Sequence, residues 1–239
     1  INQISEKNHK VFFYGKFSKN IPKNNTIATL LKILDSKKLL KDKKYLIKIN
    51  KKIPQKSGMG GGSMNAGSIL NYLIKKENLK LTSKEVLNIA SKVGSDVILG
   101  LNHKNFIIYR NGKITKIYKK LHFYTLLVKP IFSCSTKDIY KKVKTFSKPI
   151  FKKKQRINLN YNFLVKLRND LEKPAFKKYP KLLKLKKFIE KMSDVLFVRM
   201  TGSGSTIIGY FISKKTAINA SKILKKKYKN YWCIISKTI

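Results

Sequence analysis

The sequence predicts an α+β protein of two units, residues 1–120 and residues 121–239, and three observations predict it. Short β-rich runs alternate with stretches of helical apolar period, the alternation restarts at Phe123, and each half carries one glycine-rich loop beside a strand. With 42% hydrophobic content in 239 residues, the chain can bury one large core or two modest ones.

The elements follow in order. "VFFYGKF" from Val11 predicts a strand. "TIATLLKILDSKKLL" from Thr26 puts Ile27, Leu30, Leu31 and Leu34 on one helical face behind a cap candidate at Asn25. "YLIKI" from Tyr45 predicts a second strand, and the glycine loop in "IPQKSGMGGGSMNAGSIL" leads into a helix through Ala66, Ile69, Leu70 and Leu73. Thr82 and Glu85 have capping-box spacing, opening a helix that ends near Gly94. After "SDVILGL" come strands "FIIYR" and "ITKIY", joined through Asn111-Gly112, a pair suited to a tight hairpin turn. The second unit then reads as strand "FYTLLV", a helix after Thr136, and a Lys-rich stretch from Lys141 to Arg156 that is either a loop or a boundary. Helical patterns run from Phe163 to Leu171 and from Leu182 to Met192. Strand "VLFVRM", loop "TGSGS", strand "TIIGYFI", a helix from Lys214 to Tyr228 and strand "YWCII" complete the pattern, with no internal repeat.

A formal charge of +44 would suit a nucleic-acid surface. Of the 55 basic residues, however, only Arg110, Arg156, Arg168 and Arg199 are arginines, and the lysines spread from Lys7 to Lys237 without a basic tail. Arginine is the better fork for phosphates and base edges, so the excess reads as a coding bias toward Lys, Asn and Ile, and no specific nucleic-acid partner is expected. Cys134 and Cys233, far apart, indicate neither a disulfide framework nor a zinc site. No apolar run approaches a membrane span and "INQISEKNHK" lacks a signal-peptide profile, so no membrane contact and a reducing cytoplasm are expected.

Glycine is costly to order, so Gly58, Gly60, Gly61 and Gly62 between a strand and a helix imply a need for bare backbone. Backbone N–H groups converging at a helix N-terminus form an anion cradle, and a phosphate is the expected guest. Neither a P-loop nor the dinucleotide fingerprint fits: there is no G-K-[ST], and Ser63 stands where a third glycine would be required.

The pattern P-x-x-x-G-M-G-G-G-S-x-N-A from Pro54 to Ala66 resembles the second signature of the GHMP kinases, named for galactokinase, homoserine kinase, mevalonate kinase and phosphomevalonate kinase. "VGSDVILGL" from Val93, "VKPIFSCST" from Val128, "RNDLEKPA" from Arg168 and "MTGSGST" from Met200 match, in order and approximate spacing, the branch that phosphorylates a cytidine diphosphate-linked methylerythritol. The resemblance implies a GHMP kinase two-domain architecture: a first domain like domain 2 of ribosomal protein S5 and a ferredoxin-like second domain. It implies ATP and Mg²⁺ as cofactors and a small-molecule acceptor. Homoserine- or mevalonate-type kinases are the alternatives, and a basic RNA-binding α+β protein is the alternative from another class.

By the same resemblance, Asp96 is the catalytic base. ATP is expected at Asn25, Lys51, Pro54, Gln55, Lys56, Ser57, Gly58, Met59, Gly60, Gly61, Gly62, Ser63, Met64 and Asn65, with the Ser63 hydroxyl near phosphate or Mg²⁺. Thr136 and Tyr140 are implied on the cytidine part of the acceptor, where an aromatic face stacks on a base, and Gly202, Ser203 and Gly204 correspond to the third signature. Arg168, Asn169, Asp170 and Glu172 are expected to form a polar structural network, with a contact to the cleft as the alternative, and His9, His103 and His122 no cluster. Two departures stand out: Met64 where many members have serine, and Ile98 where proline often follows Asp-Val. Family members usually open with a segment close to A-K-I-N-L, supplying a lysine, and then a Tyr-His pair; this sequence starts after both, so that part of the active site is expected to be missing from it.

Overall fold

The computed structural model describes residues 1–102, 105–109, 114–117, 121–148, 150 and 160–238. It parts into two compact units: Ile1–Gln55 with Gly60–Phe106, and Lys56–Met59 with Ile107–Ile239. Of the described residues, 107–109 and 114–117, placed before the division by sequence, therefore count with the second unit, as does a four-residue piece of the glycine loop.

In the first unit, β1 (Asn2–Ile4), β2 (Lys10–Tyr14) and β3 (Lys44–Asn50) form a sheet of order β1-β3-β2, with β1 antiparallel and β2 parallel to β3. The parallel pair requires a crossover, and α1 (Thr26–Ser36) supplies it. Asn25 caps this helix as expected, its Oδ1 accepting from the backbone N–H of Ile27 (3.0 Å) and Ala28 (3.2 Å). Ile27, Leu30, Leu31 and Leu34 are buried, each worth about 1.5–3 kcal/mol of apolar transfer. They meet Tyr45 and Ile47 of β3 and Ala66, Ile69, Leu70 and Leu73 of α2 (Gly61–Lys76) in one core. The helix is shorter than the apolar pattern that predicts it, because Lys38 takes a positive φ of 54° and the N–H of Leu39 turns back to the Leu34 carbonyl (3.0 Å). α3 (Ser83–Val93) opens on the expected capping box, Thr82 with Glu85, and stops at Gly94. A 3-10 turn, Val97–Leu101, follows. β1 has no counterpart in the sequence pattern: three residues are too few for a period.

In the second unit, β4 (Asn105–Ile108), which straddles the division, and β5 (Ile114–Ile117) pair as a two-stranded sheet. The Asn111-Gly112 turn expected between them, and His103, lie outside the described residues. β6 (Tyr124–Lys129), β7 (Val195–Met200), β8 (Ile207–Phe211) and β9 (Trp232–Lys237) form an antiparallel sheet of order β7-β8-β6-β9. That order, with helices after β6 and after β8, is the split βαβ topology of a ferredoxin-like domain. Leu126 and Val128 of β6 pack with Leu182, Leu185 and Ile189 of α7 (Pro180–Glu190) and Ala217, Ala220 and Leu224 of α8 (Lys214–Lys227).

Between these, α4 (Thr136–Lys141) is capped by the Ser135 hydroxyl, which accepts from Asp138 N–H (3.3 Å). Of the helical pattern read from Phe163 to Leu171, only the first part is helical, as α5 (Tyr161–Lys166); residues 167–171 are a break, and α6 (Glu172–Lys178) begins just beyond it. Leu167 is extended (ψ 148°), and the carbonyl and amide groups of the break are engaged by side chains instead of a helical ladder.

Candidate active site

In the first unit, the backbone leaving β3 is held by Lys51, whose N–H donates to the Tyr14 carbonyl (2.7 Å) and whose carbonyl accepts from Phe17 N–H (3.3 Å). This fixes the side chain, which is only 9% exposed. Its amine lies 3.7 Å from where a β-carbon on Gly61 would sit, at the first residue of α2. Burial lowers its pKa from the usual lysine value, and no carboxylate pairs with it among the described residues. A cation set against the positive end of a helix dipole is unfavourable unless an anion joins them, so the arrangement is complementary to a polyanion.

The glycines shape that helix end. Gly60 is left-handed (φ 63°) and accepts from Met64 N–H (2.9 Å), starting the helix within the glycine run. The start of α1 lies against it: Thr26 Oγ1 donates to the Gly62 carbonyl at 3.1 Å. Asn25 spends its amide on Pro22 (2.9 Å) and Lys23 (3.3 Å) carbonyls in addition to capping. Pro54 is buried, and Gln55 donates to the carbonyls of Phe17 (3.2 Å) and Lys19 (2.6 Å), tying down the neighbouring loop.

Asp96 precedes the 3-10 turn, exposed and without a basic partner among the described residues; the Ser95 hydroxyl approaches one carboxylate oxygen at 3.3 Å. Its place is set by two glycines that motif reasoning passed over. A β-carbon on Gly67 would lie 2.7 Å from the Gly100 carbonyl carbon and 2.8 Å from the Val97 oxygen; one on Gly100 would lie 3.0 Å from Met64 Cα and 3.3 Å from the Ser63 oxygen. The turn after Asp96 is thus pressed backbone to backbone on the first turns of α2, which carry Ser63, Met64 and Asn65.

In the second unit, two glycine segments interlock. The Ser57 carbonyl accepts from Thr206 N–H (3.3 Å), and the Gly58 carbonyl from Thr201 Oγ1 (3.0 Å). Gly58 (φ 73°) has no room for a side chain, since a β-carbon would sit 2.4 Å from the Thr201 oxygen and 2.6 Å from the Gly204 oxygen. Across from Gly202 and Gly204, the Thr136 and Ser203 hydroxyls meet at 2.8 Å, and Ser205 Oγ donates to the Phe132 carbonyl (2.9 Å). Tyr140, 52% exposed, follows Thr136 by one helical turn on the same face of α4. Lys129, another residue that sequence reading passed over, is buried and donates to the Pro130 (3.0 Å) and Phe132 (3.1 Å) carbonyls and to Ser133 Oγ (3.3 Å), organising the loop ahead of Ser135 and Thr136. Burial lowers its pKa as well.

The fold and its two glycine loops define a small-molecule kinase of a known kind. The profile described as GHMP kinases N terminal domain matches residues 25–105, and GHMP kinases C terminal matches residues 153–230. The chain belongs to the GHMP kinase family. It is 50% identical to the 4-diphosphocytidyl-2-C-methyl-D-erythritol kinase of Pelagibacter ubique (strain HTCC1062) over 100% of this chain and 85% of that protein. A namesake from Thermodesulfovibrio yellowstonii is 33% identical over 90% of this chain and 78% of its own length. Among solved structures, a 4-(cytidine 5'-diphospho)-2C-methyl-D-erythritol kinase superposes with a TM-score of 0.72 at 19% identity, covering 95% of this chain and 82% of that one. The homoserine kinase of Cytophaga hutchinsonii gives 0.70 at 19% identity, over 99% and 84%, and so shows the shared fold alone.

Proposed function

We propose that this chain is a 4-diphosphocytidyl-2-C-methyl-D-erythritol kinase, moving the terminal phosphoryl group of ATP to the 2-hydroxyl of its acceptor and releasing ADP. The observation that carries the reading is the 50% identity to a kinase of that name along the whole chain. The buried Lys51 amine at the N-terminus of α2 supports the phosphate side of it.

Phosphoryl transfer asks a protein for charge neutralisation, an aligned hydroxyl and a proton acceptor. In this reading Lys51 and the backbone N–H groups from Gly60 to Asn65 hold the triphosphate, and Asp96 takes the proton of the attacking hydroxyl. Thr136 and Tyr140 receive the cytidine part of the acceptor, with Gly202, Ser203 and Gly204 lining its phosphates. Mg²⁺, as the family resemblance implies it, would be held by the Ser63 hydroxyl together with the bound nucleotide. When bound, the ion neutralises phosphate charge. Among the described residues no helix is long and apolar enough to cross a membrane; two free thiols, Cys134 and Cys233, suit the reducing setting of a cytoplasmic enzyme.

The test is a substrate panel, run on the chain with the A-K-I-N-L-like opening segment and the Tyr-His pair restored ahead of it. ADP release should be seen with 4-diphosphocytidyl-2-C-methyl-D-erythritol and not with homoserine or mevalonate, and mass and NMR spectra should put the new phosphate on the 2-hydroxyl. Turnover of homoserine or mevalonate in preference would reassign the acceptor.

A further inference from the structure

We infer that Asn169 is a positioning residue of this kinase, a clamp that fixes both glycine segments of the second unit without facing a substrate. The residue lies in the break between α5 and α6, and its side-chain amide is fully used. Nδ2 donates to the Met200 carbonyl (2.9 Å) and the Gly202 carbonyl (2.8 Å), while Oδ1 accepts from Leu171 N–H (3.0 Å). Two carbonyls can be satisfied only by an NH₂ group, which sets the orientation of the amide. They flank Thr201, so one side chain spans the entrance of the loop from Met200 to Thr206. Glu172, three residues on, takes the N–H of Met200 at 2.7 Å, so that Met200 is held at both its amide and its carbonyl.

What Asn169 holds then holds the rest. Thr201 donates to the Gly58 carbonyl and Thr206 to that of Ser57, and the two backbones lie so close that a β-carbon on Gly58 would sit 2.4 and 2.6 Å from the Thr201 and Gly204 oxygens. Ser203 carries the same constraint to Thr136. A shift of the Met200–Gly202 backbone is therefore transmitted to segment 56–59, proposed on ATP, and to Thr136, proposed on the acceptor.

The neighbouring Asp170 supplies the control. Its carboxylate turns away from this loop and accepts from Ser147 N–H (2.8 Å) and Oγ (2.5 Å), contacts that hold its pKa below the usual carboxylate value. Asn169→Asp keeps the shape of the side chain but sets carboxylate oxygens against two carbonyls. In the full chain it should speed deuterium exchange in segments 56–59 and 200–206 by about tenfold or more, the loss of at least one hydrogen bond. It should also raise KM for both ATP and the acceptor by about tenfold. Asp170→Asn should loosen only the region of Ser147 and leave both KM values unchanged. If Asn169→Asp does not fold, Asn169→Ala, which removes the donors without adding charge, is read the same way. A variant with wild-type exchange in both segments, or one that melts earlier with both KM values unchanged, would overturn the clamp. The kinetic arm rests on the kinase reading and is run with the family's opening segment restored, and the exchange arm does not: a restored chain without turnover refutes the kinase reading, and exchange then decides the clamp.

Discussion

Replacing Gly67 by alanine sets two opposing effects against each other, and the structure decides between them. Gly67 lies inside α2, where alanine is intrinsically better by about 1 kcal/mol, so helix propensity alone expects stabilisation. The added β-carbon, however, would stand 2.7 Å from the Gly100 carbonyl carbon, 2.8 Å from the Val97 oxygen and 2.9 Å from Gly100 Cα. The nearest of these is about 0.7 Å short of ordinary contact, and all three are backbone atoms that no rotamer change can move. Overpacking of this kind costs about 1–3 kcal/mol, which offsets the propensity gain of about 1 kcal/mol and leaves an expected net loss of up to about 2 kcal/mol. Relief comes from sliding the 3-10 turn off α2, which displaces Asp96; a displacement near 1 Å can cost about 10²-fold in rate. Urea unfolding followed by far-UV circular dichroism measures the first quantity, because the sole tryptophan, Trp232, sits in β9 and reports on the other unit. Steady-state kinetics measure the second. A Gly67→Ala protein that is more stable than wild type, or one whose kcat stays within twofold, would refute the argument.

Three further outcomes are expected. Asp96→Asn keeps the shape of the side chain but cannot accept the hydroxyl proton, so kcat should fall by about 10²–10⁴ while ATP affinity, measured by calorimetry, is retained. Tyr140→Ala should weaken acceptor binding by about 1–3 kcal/mol and leave ATP binding unchanged, as loss of a stacking platform requires; equal losses for both ligands would indicate a folding defect. Lys51 carries a pKa lowered by burial, so without nucleotide the folded state binds its proton more weakly than the unfolded chain does. Stability should therefore rise as pH climbs from the lowered folded value toward the ordinary lysine value near 10.5. Lys51→Met should remove that slope and raise the apo melting temperature, yet weaken ATP binding by about tenfold or more through the loss of a charge-assisted contact. A variant that loses stability without losing ATP affinity would show that the amine has no part in binding.

Much of the architecture is legible in the sequence because its causes are local. The faces of α1 and α2, the Asn25 cap and the Thr82–Glu85 box all arise within one or two helical turns, and periodicity and spacing capture them. The glycine segments are visible too, and Gly58, Gly60, Gly202 and Gly204 all take left-handed φ angles, which glycine adopts at least cost. Other features depend on partners far away in the chain. Lys51 is singled out in the sequence only by the family resemblance; the local pattern does not set it apart among 55 basic residues, and only folding buries its amine against α2. Gly67 lies inside α2 and Gly100 inside the 3-10 turn, neither at a left-handed φ; the need for bare backbone there appears only when the two elements meet. The helical pattern from Phe163 to Leu171 fails for a similar reason, because Asn169 finds carbonyls more than thirty residues away. The association of segment 56–59 with the second unit rests on a hydrogen bond between residues 143 positions apart. The sequence by itself determined the fold class, the family and the position of both glycine loops, all of which follow from short-range backbone rules and ordered motifs. The burial of one lysine, the close approach of two glycines and the hold of one asparagine were decided by tertiary structure, because each is a property of two surfaces that meet only in the folded chain.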